Sequence, residues 1–155
     1  MSGLLNVSEM GALALHSILE VAKREKRGET GWTSTTVLAD ALAGSRHTLH
    51  KVVKRLVKAG LLESARGPMG GVKMALPPEQ IPLIAVIEAV DGSVRPGGCL
   101  FSRRLCTEDS VCQFCGITLD LEKMVRGYFS DTTIAQLLDR LAERGELMPP
   151  RLRVV

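Results

Sequence analysis

The chain has 155 residues, 45% hydrophobic and only 3% aromatic, which suits one compact domain with an aliphatic core plus an extra helical piece. No apolar run approaches the ~18 residues of a membrane span, and the N-terminus lacks the basic start of a secretory signal, so we expect a cytoplasmic protein with no membrane contact. The net charge of +3 is unevenly distributed, with seven bases and one acid at 45–73 against seven bases and eleven acids at 77–150. A basic segment of this kind is typical of a nucleic-acid-binding face, although a solvated helix surface gives the same pattern.

The first two predicted helices are amphipathic. Ser8 is a candidate N-cap for a helix that runs to about Arg27, and the apolar residues of this segment keep helical spacing. A polar turn with Gly28 and Gly31 follows, and a second helix is expected at about 35–43. Its buried face is expected to consist of Val37, Leu38, Ala41 and Leu42.

A third helix follows after a short glycine-containing turn, and two helices joined in this way are typical of a helix-turn-helix. Ser45 is the candidate N-cap of this helix, and Gly60 stands at the position of a glycine that ends a helix. Positions 61–64 and 71–76 then predict two short strands, joined by a flexible tip at Arg66–Gly71. We expect this hairpin to be the β-wing of a winged helix-turn-helix.

The second half of the chain predicts three more helices around a cysteine-rich segment. A short helix begins near Pro82 and ends at Asp91–Gly92. Another spans about 117–129, and a last one starts at Ser130. The apolar stripe of the longer helix consists of Ile117, Leu121, Met124, Val125 and Tyr128.

Two amphipathic helices outside a complete winged domain need partners for their apolar faces. Dimerisation supplies them, and regulators of this architecture usually bind two-fold sites, so we expect a homodimer. The alternative is that both helices fold back on their own chain. The predicted fold class is mainly α with a small β-wing: a winged helix-turn-helix domain at 1–92, a cysteine-rich loop at 93–116, and C-terminal dimerisation helices with a tail at 117–155.

The polar face of the third helix predicts contacts to double-stranded DNA. In a helix-turn-helix the first residues of the second helix reach base edges, and residues further along meet phosphates. Arg66, on the glycine-rich tip, is expected to enter a minor groove. The predicted base contacts come from His47, Thr48, His50 and Lys51, with Ser45 beside them, and the predicted phosphate contacts from Lys54, Arg55 and Lys58. The alternative for each of these lysines is ordinary surface solubility.

Four cysteines lie within 17 residues, with the spacing C-x6-C-x5-C-x2-C: Cys99, Cys106, Cys112 and Cys115. Thiolates are soft ligands that favour iron–sulfur clusters, zinc or copper(I). The spacing is neither that of a zinc ribbon nor the close run of a bacterial ferredoxin. It favours a cluster, while zinc, a thiol–disulfide switch and four buried free thiols are the alternatives.

Two segments resemble the IscR/NsrR-type (redox-response-factor) family of bacterial winged-helix regulators. Positions 60–72 are similar to the wing signature of that family, and 84–92 are similar to the helix that precedes its three-cysteine loop. The resemblance extends from about Ser8 to Leu141. It implies a homodimer with a long dimerisation helix after the loop, and an iron–sulfur cluster whose presence, redox state or damage by nitric oxide or oxygen sets DNA affinity.

The resemblance also implies which residues bind the cluster. The three family cysteines match Cys99, Cys106 and Cys112, with a first gap one residue longer than in the IscR branch. Where that branch has a histidine that completes a 2Fe–2S site, this chain has Cys115. In the NsrR branch an acidic residue near the N-terminus of the other subunit completes a 4Fe–4S site, and Glu9 lies at about that position. We favour Cys115, because thiolate binds such clusters better than carboxylate, and expect Glu9 to interact with the helix dipole.

These patterns together predict a homodimeric DNA-binding repressor that binds an operator under the control of an iron–sulfur cluster. An enzyme is not expected, because the sequence has no nucleophile–base motif. One alternative keeps the DNA-binding fold and replaces the cluster by zinc or a thiol–disulfide switch. Another is an iron–sulfur carrier or assembly protein whose basic helix docks an acidic protein partner.

Overall fold

The computed structural model describes residues 7–29, 31–42, 44–93 and 115–143. These residues confirm the predicted mainly α fold with a small wing. None of the helices in these ranges is both long and apolar enough to cross a membrane. The elements are α1 (Glu9–Lys26), α2 (Thr35–Leu42), α3 (Arg46–Lys58), β1 (Leu62–Ala65), β2 (Gly71–Met74), a short 3-10 helix (Pro78–Gln80), α4 (Leu83–Asp91), α5 (Cys115–Asp131) and α6 (Ile134–Glu143).

Helix α1 is central to the core and begins at its predicted cap. The Ser8 side chain accepts a hydrogen bond from the backbone N–H of Gly11 at 3.1 Å, which satisfies one of the free donors at the helix start. The helix contacts α2, α3, α4, α6 and β2. Its fully buried apolar side chains, Ala14, Ile18, Val21 and Ala22, therefore pack in one core with those of the helix-turn-helix and the wing.

Helix α2 forms where it was predicted, but its buried face is displaced by one residue. Leu38 and Ala39 are buried, whereas Val37 is 37% exposed and Ala41 is exposed. The prediction that Val37 and Ala41 face the core was therefore wrong. Thr33, two residues before α2, pairs with Val72 of β2, so the chain enters α2 from a fixed position beside the wing.

The end of α3 directs the chain into the wing. Gly60, at φ 73°, lets its own N–H reach the carbonyl of Val57 and lets the N–H of Leu61 reach the carbonyl of Leu56, each at 3.0 Å. This pair of bonds is a Schellman motif, which satisfies the last carbonyls of a helix. Strand β1 begins at Leu62. It pairs antiparallel with β2 in the register Leu62↔Met74, Glu63↔Lys73, Ser64↔Val72 and Ala65↔Gly71.

The C-terminal helices return to the same core. Helix α6 begins at Ile134 and not at Ser130 as predicted, because α5 continues to Asp131 and Thr133 caps α6. The Thr133 hydroxyl accepts from the N–H of Gln136 at 3.3 Å, and the Gln136 amide oxygen accepts from the N–H of Thr133 at 3.0 Å. Ile134 is fully buried, and Leu138, one turn on, is 9% exposed in the same core as α1. The inner face of α6 therefore packs against the core of its own chain.

Candidate nucleic-acid interface

The predicted DNA-contacting residues of α3 lie at different positions around the helix relative to its buried side. Its buried residues are Leu49, Val52, Val53 and Leu56. Since successive residues of a helix are about 100° apart, the side chains at 47, 51 and 58 lie opposite this buried stripe. His47, Lys51 and Lys58 are accordingly exposed, and the first turn of the helix carries no acid. The outward face of α3 is thus basic and open to solvent.

A cleft of about 560 Å³ separates α3 from the wing. His50 and Lys54 line it on the helix side and Arg66 on the wing side, so cations border the cleft on both walls. Three residues with hydroxyl side chains at the start of α2 also line the cleft: Ser34, just before the helix, and Thr35 and Thr36, its first two residues. Basic groups, hydroxyls and the free N–H groups of a helix start are the donors that proteins use against phosphate oxygens. The hydroxyl contribution from α2 was not found by sequence reasoning.

The wing tip is a tight glycine turn that exposes Arg66. The N–H of Gly70 bonds to the carbonyl of Gly67 at 3.0 Å, and a side chain at Gly70 would overlap the carbonyl of Ala65. Met69, on the same tip, is 88% exposed. The tip therefore presents one cation and one flexible apolar side chain to any bound partner.

The base of the wing is held by contacts that the sequence analysis did not identify. Thr33 and Val72 exchange two backbone hydrogen bonds, each 2.8 Å long, which adds a third strand-like segment beside β2. Lys73 pairs with Glu63 at 3.0 Å and lies 4.9 Å from the ring centre of Trp32. Lys73 therefore belongs to the wing structure, although it contributes to the basic segment counted in the sequence.

Three of the predicted DNA-contacting residues differ in their burial and hydrogen bonding: Ser45, Thr48 and Arg55. Ser45 is the N-cap residue of α3, but its side chain makes no capping hydrogen bond, so its hydroxyl stays at the exposed helix start. Thr48 is half-buried. Arg55 donates a hydrogen bond from Nη1 to the backbone carbonyl of Val90, at the end of α4. Arg55 thus has a partner within the chain, away from the cleft that Lys54 lines.

The predicted cluster ligands lie largely outside the described residues. Cys99, Cys106 and Cys112 fall in the range 94–114, and Cys115 is the first residue of α5. Within the described ranges, no three or more His, Cys, Asp or Glu side chains come together as a metal site. Glu9 is exposed in the first turn of α1, the position expected for an acid that interacts with the helix dipole.

Comparisons with known proteins agree with this geometry. The Rrf2 family model, described as "Iron-dependent Transcriptional regulator", matches residues 7–140. The HTH-type transcriptional regulator IscR of Serratia proteamaculans is 27% identical over 135 residues, which cover 87% of this chain and 80% of that relative. The structure of CymR (YrzC), the global cysteine regulator of B. subtilis, has a TM-score of 0.71 at 25% identity and covers 86% of this chain and 96% of that one.

A further solved structure shares the fold. T. potens IscR has a TM-score of 0.67 at 21% identity, with 89% of both chains covered. The relatives are regulators of transcription and not enzymes, as the sequence predicted. With a family match over most of its length, a helix-turn-helix whose second helix is basic, and a wing beside it, this chain belongs to the Rrf2 family of DNA-binding, winged-helix transcription regulators.

Proposed function

We propose that this chain is a homodimeric repressor that binds an operator through α3 and the wing, under the control of an iron–sulfur cluster. The observation that carries the DNA-binding part is the cleft between α3 and the wing, with cations on both walls. A helix in the major groove and a wing in the neighbouring minor groove contact one duplex from one side. A duplex in this position would lay a phosphate strand along the cleft.

Within this proposal, the α3 residues divide into base readers and phosphate contacts. His47, Thr48, His50 and Lys51 are the proposed base readers, with Ser45 beside them at the helix start. Lys54 and Lys58 are the proposed phosphate contacts, and Arg66 is the proposed minor-groove residue. The support is the exposed position of these cations on α3 and the wing. The short polar chains at the start of α2 add phosphate donors to this set.

The dimer part of the proposal is supported by the outer face of α5. Three residues of its predicted apolar stripe are exposed in the single chain: Ile117 at 53%, Met124 at 70% and Tyr128 at 52%. An exposed stripe of large apolar side chains at helical spacing is a surface that a second copy can cover. Tyr128 is also held in place, since Arg140 of α6 hydrogen-bonds to its hydroxyl. A pre-ordered aromatic of this kind suits an interface.

The proposed cluster ligands are Cys99, Cys106, Cys112 and Cys115. Four thiolates match the donor set of 2Fe–2S and 4Fe–4S clusters, and the family description names iron dependence. A cluster held there would supply a redox-active group, open to damage by oxygen or nitric oxide, as the resemblance implies. Cys115 is preferred to Glu9 as the fourth ligand, because thiolate binds iron–sulfur clusters better than carboxylate.

The DNA-binding part is tested with anaerobically purified protein and sites selected from a random DNA library. Fluorescence anisotropy then gives the affinity for the selected site and for a scrambled duplex at several salt concentrations. We expect a steep fall in affinity with salt, because phosphate contacts release counterions, and at least about a thousandfold preference for the selected site. If neither a salt slope nor a sequence preference appeared, the regulator proposal would fail and docking of an acidic protein would be favoured.

The cluster part is tested by the visible spectrum of the same protein with iron and sulfide assays. We expect a coloured protein with both elements, bleached by Cys115→Ala and unaffected by Glu9→Ala. The reverse pattern would assign the fourth ligand to Glu9. Colourless protein with one zinc per chain would contradict the cluster, and metal-free protein whose DNA affinity responds to thiol oxidation would indicate a thiol–disulfide switch.

A further inference from the structure

Two elements of the DNA-binding domain are hydrogen-bonded to the same short segment, the C-terminal end of α4. Arg55 of α3 donates to the carbonyl of Val90. The backbone N–H of Ser8 donates to the Asp91 carboxylate at 2.8 Å, and the Ser8 hydroxyl donates to the other oxygen of that carboxylate. We name the pair Val90–Asp91 the α4 junction. It joins the recognition helix to the start of α1.

The α4 junction is a suitable acceptor for a cation. The carbonyls of the last turn of a helix have no partner within the helix, and the negative end of the helix dipole lies there. An arginine that donates to such a carbonyl is therefore stabilised both by the hydrogen bond and by the dipole. Gly92, at φ 80°, ends the helix immediately afterwards, and the chain then continues toward the cysteine-rich segment.

The direction of Arg55 separates it from its neighbour. Residues 54 and 55 are about 100° apart on the helix. Lys54 lines the cleft beside the wing, whereas Arg55 reaches α4 on the other flank of α3. The two side chains carry the same charge at adjacent positions but face different parts of the molecule.

We propose that Arg55 is a positioning residue for the recognition helix and not a phosphate contact. It fixes the rotation of α3 against the α4 junction, and Asp91 fixes the same junction against α1. The inference rests on the proposed function, because it concerns how α3 is presented to DNA.

The salt dependence of DNA binding distinguishes the two roles of Arg55. A phosphate contact contributes about 0.9 to the slope of log affinity against log salt. Lys54→Gln and Arg55→Gln are a matched pair, since each removes one positive charge from adjacent residues. We expect Lys54→Gln to lower the slope by about 1.8, because both copies of the proposed dimer lose one phosphate contact. Arg55→Gln is expected to leave the slope unchanged and to lower the ratio of specific to non-specific affinity about tenfold, the cost of one charge-assisted hydrogen bond.

Further variants test whether the junction acts as a unit. Arg55→Lys keeps a cationic donor and should restore part of the lost ratio. Asp91→Asn weakens the two bonds from Ser8 and should lower the ratio without changing the slope. Glu88→Gln is the matched control on α4, where Glu88 pairs with Arg126 of α5 at 3.0 Å, and it should leave both quantities unchanged.

Each outcome has a separate meaning. If Arg55→Gln lowers the slope by the same amount as Lys54→Gln, Arg55 is a phosphate contact and the inference is overturned while the DNA-binding proposal stands. If Asp91→Asn behaves like Glu88→Gln, the connection through α1 is overturned. If the unmodified protein shows no slope and no preference, the proposed function itself fails.

Discussion

The carboxylate of Asp91 leaves no room for a side chain at position 11, which is a glycine. This glycine is buried in the first turns of α1, and a Cβ atom there would overlap Asp91 Oδ2 and lie 3.1 Å from Cγ1 of Val7. Alanine normally stabilises a helix by about 1 kcal/mol relative to glycine. At this position we expect Gly11→Ala to destabilise the protein by about 1–3 kcal/mol, because the overlap forces side chains or backbone to move. The free energy of unfolding from urea titration measures the effect.

A double-mutant cycle tests whether Asp91 is the cause. In an Asp91→Ala background the overlap with the carboxylate disappears, so adding Gly11→Ala should cost much less there than in the unmodified chain. An equal cost in both backgrounds would show that Val7, or the helix backbone, is responsible instead.

Among the elements, the wing has a second close backbone approach besides the one at Gly70. A side chain at Gly71 would overlap the carbonyl of Thr33, with which the wing is paired, whereas Gly60 has open space around its Cβ direction. We expect Gly60→Ala to cost about 1–2 kcal/mol, the strain of a left-handed conformation. Gly71→Ala should cost more, because it also breaks the pairing between Thr33 and Val72. Urea unfolding followed by circular dichroism gives both values, and a smaller loss for Gly71→Ala would contradict this account.

Elements set by short-range chemistry were predictable from the sequence. The Ser8 cap, the glycine at 60 and the proline at 82 act within a few residues of the helix ends that they determine. The displaced face of α2 and the partner of Arg55 were not predictable, because both depend on segments distant in sequence. No sequence pattern associates the three hydroxyl side chains at the start of α2 with the wing. The cysteine segment was recognised by spacing, and its arrangement stays a prediction.

For the whole molecule, the outer face of α5 and the inner face of α6 have different roles. Ile134 and Leu138 of α6 lie in the core, and Lys26 of α1 pairs with Asp139 of α6 at 2.6 Å. Of the two amphipathic helices expected to dimerise, α6 thus buries its inner face within its own chain. Of the large apolar side chains that are exposed on these two helices within the described residues, most belong to α5.

A charge on the α5 stripe therefore tests the proposed dimer. Met124→Lys should shift the protein toward monomer and weaken operator binding, because a lysine in the centre of an apolar interface is costly to bury. Leu119→Lys introduces the same charge on the same helix, at a side chain that is 50% exposed and outside the predicted stripe. Sedimentation velocity should show a dimer for the unmodified chain and for Leu119→Lys. A dimeric Met124→Lys protein would place the interface elsewhere.

The contact between Lys73 and the ring of Trp32 also makes the wing optically observable. The chain has a single tryptophan, and it lies next to the residue that holds β2. Its emission therefore depends on the position of one ammonium group and on the solvent at the base of the wing. When DNA occupies the cleft, a change in this intrinsic signal would report the movement of the wing without any attached dye.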